Sequence, residues 1–228
     1  MFWDSTAGHA VALVLALAAL ALTGAGLSAG LRRRSVKSLA GNARESIGKK
    51  PLFSIKTLTY SAICLALALI LSRLKLFQMP QGGDVTLCSM LFIALAGYWF
   101  GPKAGILAGV SEGLLRFVIS SSGAVHPVQI LLDYPLAFGA LGISGFFGNA
   151  RYGLVVGYIA GCLSLFCMSF ISGFVFFASY APAGESAVLY SAVYNLSYVL
   201  PEMAITCALL AVPQFRKAIE RLKNATPA

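Results

Sequence analysis

The sequence predicts an all-α integral membrane protein, a six-helix transmembrane bundle preceded by one extra N-terminal transmembrane helix. Three observations predict it. First, 58% of the 228 residues are hydrophobic and only 11% are charged, against about 25% charged in a soluble domain. Second, apolar runs near the ~20 residues needed to cross the hydrocarbon recur at about 10–31, 54–74, 85–100, 103–120, 127–148, 152–178 and 187–212. The runs are long and do not alternate in polarity, which favours helices over a barrel. Third, the charge is segregated between the two sides that these spans define. Together the spans leave no room for a soluble catalytic domain.

The first run, within residues 1–31, is rich in Ala and Leu and ends at Arg32-Arg33-Arg34. Asp4 and no Lys or Arg precedes it. A signal peptide has the opposite layout, so an uncleaved anchor fits better. Residues 32–53 read as a basic cytoplasmic linker, residues 54–212 as the six-helix membrane domain, and residues 213–228 as a basic cytoplasmic tail.

The formal net charge of +9 invites a nucleic-acid reading, but its distribution argues against one. Arg32, Arg33, Arg34, Lys37, Arg44, Lys49 and Lys50 lie between the first two runs, with Lys56 at the start of the second. Lys103 and Arg151 fall in alternate later loops, and Arg216, Lys217, Arg221 and Lys223 follow the last run. Only Arg73 and Lys75 fall on the other side, with Arg116 inside a run. The positive-inside rule then places the N-terminus outside and the C-terminus in the cytoplasm of a multi-pass plasma-membrane protein.

Cys64, Cys88, Cys162, Cys167 and Cys207 lie in apolar segments and make no CxxC pair. They read as small core residues, with no disulfide framework and no metal site. Gly101, Gly105, Gly109 and Gly113 recur every four residues, as do Gly153, Gly157 and Gly161, with Ala62 and Ala66 a weaker pair. Small residues at this spacing let helices approach closely in lipid. Packing within the bundle is the plain reading, and a sliding surface for another subunit is the sharper one.

The polar residues inside the runs carry the functional information. Asp133 stands in an apolar stretch, where a carboxylate costs roughly 2.5–3.5 kcal/mol on insertion scales and faces a cavity or a partner. His126, Gln129 and Asp133 are spaced by three and four, so a regular helix would put them on one face. That face suits a polar, cationic small molecule. Glu112 and Arg116, four apart, are expected to pair. Ser191, Asn195, Tyr198 and Glu202 form a stripe in the last run, which serves either as interhelical glue or as cavity lining. Phe170, Phe174, Phe176 and Phe177 sit late in the preceding run, where one could stack on a cationic or aromatic ligand. The Gln81-Gly82-Gly83 stretch reads either as a flexible lid or as a plain turn. No GxxxxGK[ST], GxGxxG or HExxH motif occurs. A membrane protein without an ATP site uses a gradient, forms a channel, or borrows energy from a partner.

Five ordered motifs now combine. They are Met79-Pro-Gln-Gly-Gly-Asp-Val-Thr-Leu, Phe100-Gly-Pro-Lys-Ala-Gly, His126-Pro-Val-Gln-Ile-Leu-Leu-Asp-Tyr, Phe170-Ile-Ser-Gly-Phe-Val-Phe-Phe-Ala-Ser-Tyr-Ala-Pro and Leu189-Tyr-Ser-Ala-Val-Tyr-Asn. Over about 54–212 the chain resembles the thiamine-specific substrate-binding component, or S component, of energy-coupling-factor (ECF) transporters. The anchor and linker are not part of the usual pattern. The resemblance implies a six-helix bundle that captures thiamine at its outer side, has no ATPase and needs no cofactor. Its partners would be a membrane coupling subunit and two cytoplasmic ATPase subunits in the lipid bilayer. Asp133 would match an acidic residue that bonds the aminopyrimidine, and Tyr134 a tyrosine beside it. Tyr190 and Asn195 would contact the ligand, and Phe177 would stack on it. Ser169 and Leu165 depart from the family, which commonly has a histidine and a basic residue there, near the hydroxyethyl end of thiamine. Together with His126, Gln129 and Gly83, these residues (Leu165 apart) make up the expected substrate-binding set. The ligand expected is thiamine or a close pyrimidine or thiazolium relative. The alternative is a stand-alone gradient-driven carrier for a small organic cation. Asp133 has no second carboxylate or nucleophile in its motif, so an enzyme is not expected.

Overall fold

The computed structural model describes residues 53–80, 83–120, 126–177, 181–182 and 184–225. The expected anchor at 1–31 and nearly all of the linker lie outside the described residues. The described part forms one compact unit. It contains helices α1 (Ile55–Arg73), α2 (Ser89–Phe100), α3 (Pro102–Ser120), α4 (Pro127–Phe147), α5 (Gly153–Phe176), α6 (Ala187–Ala211) and α7 (Pro213–Ala225). A hairpin of β1 (Lys75–Gln78) and β2 (Asp84–Thr86) lies between α1 and α2.

Among the described residues, four helices are long and apolar enough to cross a membrane: α1, α4, α5 and α6. α3 has 19 residues but carries Lys103, Glu112 and Arg116. The expected span at 85–100 is corrected. Only Ser89–Phe100, 12 residues, is helical. Asp84–Thr86 is strand, and Cys88 takes a left-handed conformation at φ 56° that ends the strand before the helix starts. Lys75–Gln78 and Asp84–Thr86 pair as antiparallel strands, with a Lys75–Asp84 ion pair at 2.8 Å.

α2 is short because it lies in the centre. Met90, Leu91, Ile93, Ala94, Leu95, Ala96 and Tyr98 are all buried, and α1, α3, α5 and the C-terminal part of α4 pack around it. Small residues make this possible. A Cβ on Gly105 would stand 2.5 Å from the Gly97 Cα atom. A Cβ on Gly109 would strike the Phe138 carbonyl, and one on Gly113 the Tyr134 carbonyl. Gly157 and Gly161 abut Ser144 and Leu141 in the same way. The glycine rows therefore seal α3 and α5 against α4 inside the protein, which is the packing reading of the sequence. Gly101 is different: at φ 87° it breaks the chain between α2 and α3, and Pro102 starts the next helix without losing a hydrogen bond. Cys64, Cys88 and Cys162 belong to the hydrophobic core, whereas Cys167 is exposed.

Glu202, buried at 2% exposure, joins α6 to this centre. One carboxylate oxygen accepts from the Thr86 backbone N–H at 3.1 Å and the Thr86 hydroxyl at 2.6 Å. The other accepts from the Met90 N–H at 3.1 Å and the Ser89 hydroxyl at 3.2 Å. Met90 is in the first turn of α2, so an acidic side chain from another helix caps it and meets its positive dipole end. The Ser89 hydroxyl also accepts from Arg116 at 3.5 Å. Arg116 in turn donates to Glu112 at 2.8 Å and to the Ala68 carbonyl at 3.4 Å, and lies 4.5 Å over the Phe138 ring. The expected Glu112–Arg116 pair is thus present and tied to four helices.

Residues 213–225 are not a plain tail. α7 turns Phe215 and Ile219 onto the core and carries Lys217 and Arg221 outward. Lys223 donates to the Gly148 carbonyl and sits 4.0 Å over the Tyr98 ring. Burial lowers the Lys223 pKa, and Glu220 partly raises it again.

Two outcomes are expected in thermal unfolding of the purified protein. Glu202→Gln turns an amide donor toward existing donors and should cost about 1–3 kcal/mol. Gly109→Val should cost at least about 1–3 kcal/mol by overpacking, while Ser111→Ala on the exposed side of the same helix should change little. Unaltered midpoints for Glu202→Gln and Gly109→Val would contradict the packing described.

Candidate ligand-binding site

α4 begins with His126 as N-cap, its Nδ1 accepting from the Val128 N–H at 3.2 Å, and with Pro127 in the first turn. Pro135, two residues past Asp133, has no N–H to donate to Leu131. The helix accommodates this with a π turn over Leu132–Leu136. Single π turns recur at functional sites, and this one holds Asp133 and Tyr134. The Tyr134 carbonyl rests against Gly113, so α3 backs the turn.

Asp133 and Tyr134 form one wall of a cavity of about 470 Å³, within the ~300–1,000 Å³ usual for small-molecule sites. α5 adds Ser169, Gly173 and, just past its end, Phe177. α6 adds Tyr190, Ser191, Tyr194, Asn195 and Tyr198. Three tyrosines at intervals of four residues make a continuous ring face along α6. The Tyr190 and Tyr194 rings lie 6.4 Å apart, and Tyr194 and Tyr198 meet edge to face at 5.8 Å. Tyr134 is braced edge to face by Phe117 at 5.3 Å.

The polar groups between α5 and α6 are ordered. Ser191 donates to the Phe170 carbonyl at 2.9 Å. Asn195 Nδ2 donates to the Ser191 carbonyl at 2.9 Å, and the Tyr198 hydroxyl donates to Asn195 Oδ1 at 2.6 Å. Gly173 lets these helices close, because a side chain there would collide with the Ser191 hydroxyl. The Ser172 side chain is fully buried. Of the ten lining residues Asp133 alone carries a formal charge, and five are aromatic. The arrangement offers one negative charge, aromatic faces and a fixed amide, which suits a flat cation with hydrogen-bonding edges.

The structure brings together Asp133, Tyr134, Ser169, Phe177, Tyr190 and Asn195 from the expected set. It does not bring in the other three. The face expected for His126, Gln129 and Asp133 does not form, because His126 lies outside the helix as its cap and the π turn interrupts the α periodicity. His126 is exposed and stacks on Phe176 at 5.1 Å. Gln129 is buried at 7% exposure, away from the lining. Gly83 packs behind the cavity: a Cβ there would come 2.5 Å from Tyr198 Cδ1. Leu165 is a core residue.

The stripe in α6 divides its tasks. Ser191, Asn195 and Tyr198 line the cavity, whereas Glu202 caps α2. Four lining residues fall outside the expected set: Ser191 and Tyr198, from the stripe that reads as either glue or lining, and Tyr194 and Gly173, which were missed. Tyr194 was visible in the Tyr190-Tyr194-Tyr198 spacing. Gly173 lay in a quoted motif but gave no signal that α6 approaches it.

The chain matches the family described as Thiamine transporter protein (Thia_YuaJ) over residues 58–221. It is 38% identical over 178 residues to the thiamine transporter ThiT of Bacillus subtilis, covering 72% of this chain and 92% of that protein. It is 30% identical over 122 residues to ThiT of Lacticaseibacillus paracasei, covering 48% of this chain and 60% of that protein. The fold is similar to the solved structure of ThiT from Listeria monocytogenes. That match has a TM-score of 0.57 and 26% identity, over 70% of this chain and 96% of the other.

Proposed function

Because the chain belongs to the thiamine transporter protein family, we propose that it is the substrate-capture subunit of a vitamin-uptake transporter, binding thiamine or a close pyrimidine or thiazolium relative. Its role is transport rather than catalysis. The observation that carries the reading is the cavity itself, in which a single carboxylate faces five aromatic rings and an ordered amide.

Thiamine is a permanent cation with a flat aminopyrimidine. Asp133 accepts a hydrogen bond from the amino group and balances the thiazolium charge. Asn195 and Tyr190 hydrogen-bond the ligand edge, Tyr134 closes the wall beside Asp133, and Phe177 stacks on a ring. Ser169 supplies a short hydroxyl where related chains commonly carry a histidine. Leu165 is turned into the core, so the hydroxyethyl end meets fewer polar partners.

The cavity opens at the outer face. It lies at the N-terminal end of α4 and the C-terminal end of α5, opposite the basic Arg151 loop and α7. The positive-inside rule assigns those basic segments to the cytoplasm. The membrane domain then consists of the four long apolar helices with α3 beside them and the short α2 enclosed within the bundle. The sequence carries no nucleotide motif, so energy comes from a membrane coupling subunit and two cytoplasmic ATPases.

Calorimetry on the purified protein tests the reading. Thiamine is expected to bind with micromolar affinity or tighter. Asp133→Asn should weaken it by roughly 10- to 150-fold, the loss of a charge-assisted hydrogen bond of about 1.5–3 kcal/mol. No binding to the wild type, or unaltered binding in the variant, sinks the proposal. Uptake into vesicles that lack ATPases would instead favour a gradient-driven carrier.

A further inference from the structure

Asn195 is held from both sides. Its Nδ2 donates to the Ser191 carbonyl at 2.9 Å and, more loosely, to the Ser169 carbonyl at 3.4 Å. Its Oδ1 accepts from the Tyr198 hydroxyl at 2.6 Å. A flip of the amide would turn Oδ1 toward two carbonyl oxygens, which are acceptors like itself. The two carbonyls set which way the amide faces, and the phenol, itself able to donate or accept, donates to Oδ1 in that orientation and holds it in place. A carbonyl oxygen accepts two hydrogen bonds, so Oδ1 keeps one lone pair for a ligand.

Tyr198 is also a wall of the cavity, and the β1–β2 hairpin leans on it. Gly83 is close enough to the ring that a Cβ would come 2.5 Å from Cδ1 and 3.1 Å from Cβ of Tyr198. The ring is therefore seated by the hairpin while its hydroxyl holds the amide.

We propose that Tyr198 is a positioning residue that fixes Asn195 as an acceptor toward the ligand, and so selects an exocyclic amine over an oxygen at the same position. The inference rests on the functional reading above, since it presumes an aminopyrimidine in the cavity. An amide free to flip would offer either oxygen or NH₂ and would discriminate little. A fixed Oδ1 welcomes an N–H donor and repels a carbonyl oxygen. Asp133 shares the same preference, so Tyr198 accounts for part of the selectivity.

The test measures dissociation constants for thiamine and for its 4-oxo analogue oxythiamine, in wild type, Tyr198→Phe, Asn195→Ala and the double variant. The wild type is expected to prefer thiamine. Tyr198→Phe should narrow that preference by roughly three- to tenfold, the effect of one hydrogen bond. In the Asn195→Ala background Tyr198→Phe should have no further effect on the ratio. Gly83→Ala, which displaces the ring without removing its hydroxyl, should narrow the ratio in the same direction and serves if Tyr198→Phe does not fold. A parallel loss of both ligands assigns Tyr198 a merely structural role and overturns the proposal, as does an unaltered ratio or an undiminished effect without Asn195. Failure of the wild type to bind either ligand overturns the functional reading, and this inference with it.

Discussion

Glu202 is a carboxylate with no water to turn to. Inside a bilayer an unpaired charge is costly, and the donors it finds are the Thr86 and Met90 backbone N–H groups and the hydroxyls of Thr86 and Ser89. Those donors have the same need. α2 starts in the protein interior, and its first N–H groups have no partner within the helix. One contact between α6 and the β2–α2 junction satisfies both. Ser89 passes the connection to Arg116, and Arg116 to Glu112 and the Ala68 carbonyl. Two acidic residues and one basic residue thus share a buried network spanning α1, α2, α3 and α6. A network of this kind is less a source of net stability than a determinant of one arrangement, because separating its members would leave buried charges unpaired.

The cavity depends on that arrangement. Glu202 anchors α6 by its C-terminal half, which leaves the turns from Tyr190 to Tyr198 to face α4 and α5. On the opposite wall Pro135 forces the π turn that carries Asp133, and Gly113 gives the turn somewhere to rest. Within the site the Asn195 amide is oriented by its hydrogen bonds and the tyrosines pack against one another, and restraints of this kind lower the ordering cost of binding.

The membrane class, the paired Glu112 and Arg116, and the packing of the glycine rows were legible in the sequence, since each follows from local spacing in an apolar setting. Asp133 was legible because a carboxylate among apolar residues is conspicuous. Six of the expected site residues meet at one cavity, and they came from motifs rather than from periodicity. What was not legible has physical causes. The 85–100 run looks like a span because hydropathy does not register the left-handed Cys88 or the cap supplied by Glu202, which is 112 residues away from Met90. The face drawn through His126, Gln129 and Asp133 presumed an unbroken α-helix, and Pro135 was the signal against it. α7 looks like a basic tail until Phe215 and Ile219 are seen on one side. Gly83 and Gln129 support the region without lining it, a distinction that lies in tertiary packing.

The proposed site is rich in rings and acceptors and has no basic side chain in its lining. Asp133, Asn195 and the tyrosines gather where an aminopyrimidine would lie, whereas Leu165 is buried in the core and Ser169 offers only a small hydroxyl. On the proposed reading affinity would be concentrated in the pyrimidine half, with the thiazolium half resting on ring contacts and charge. An experimental structure with thiamine bound tests this most directly. The aminopyrimidine is predicted within hydrogen-bond distance of Asp133 and Asn195, with a ring of the ligand against Phe177. Thiamine bound outside this cavity, or with its pyrimidine turned away from Asp133, would contradict it.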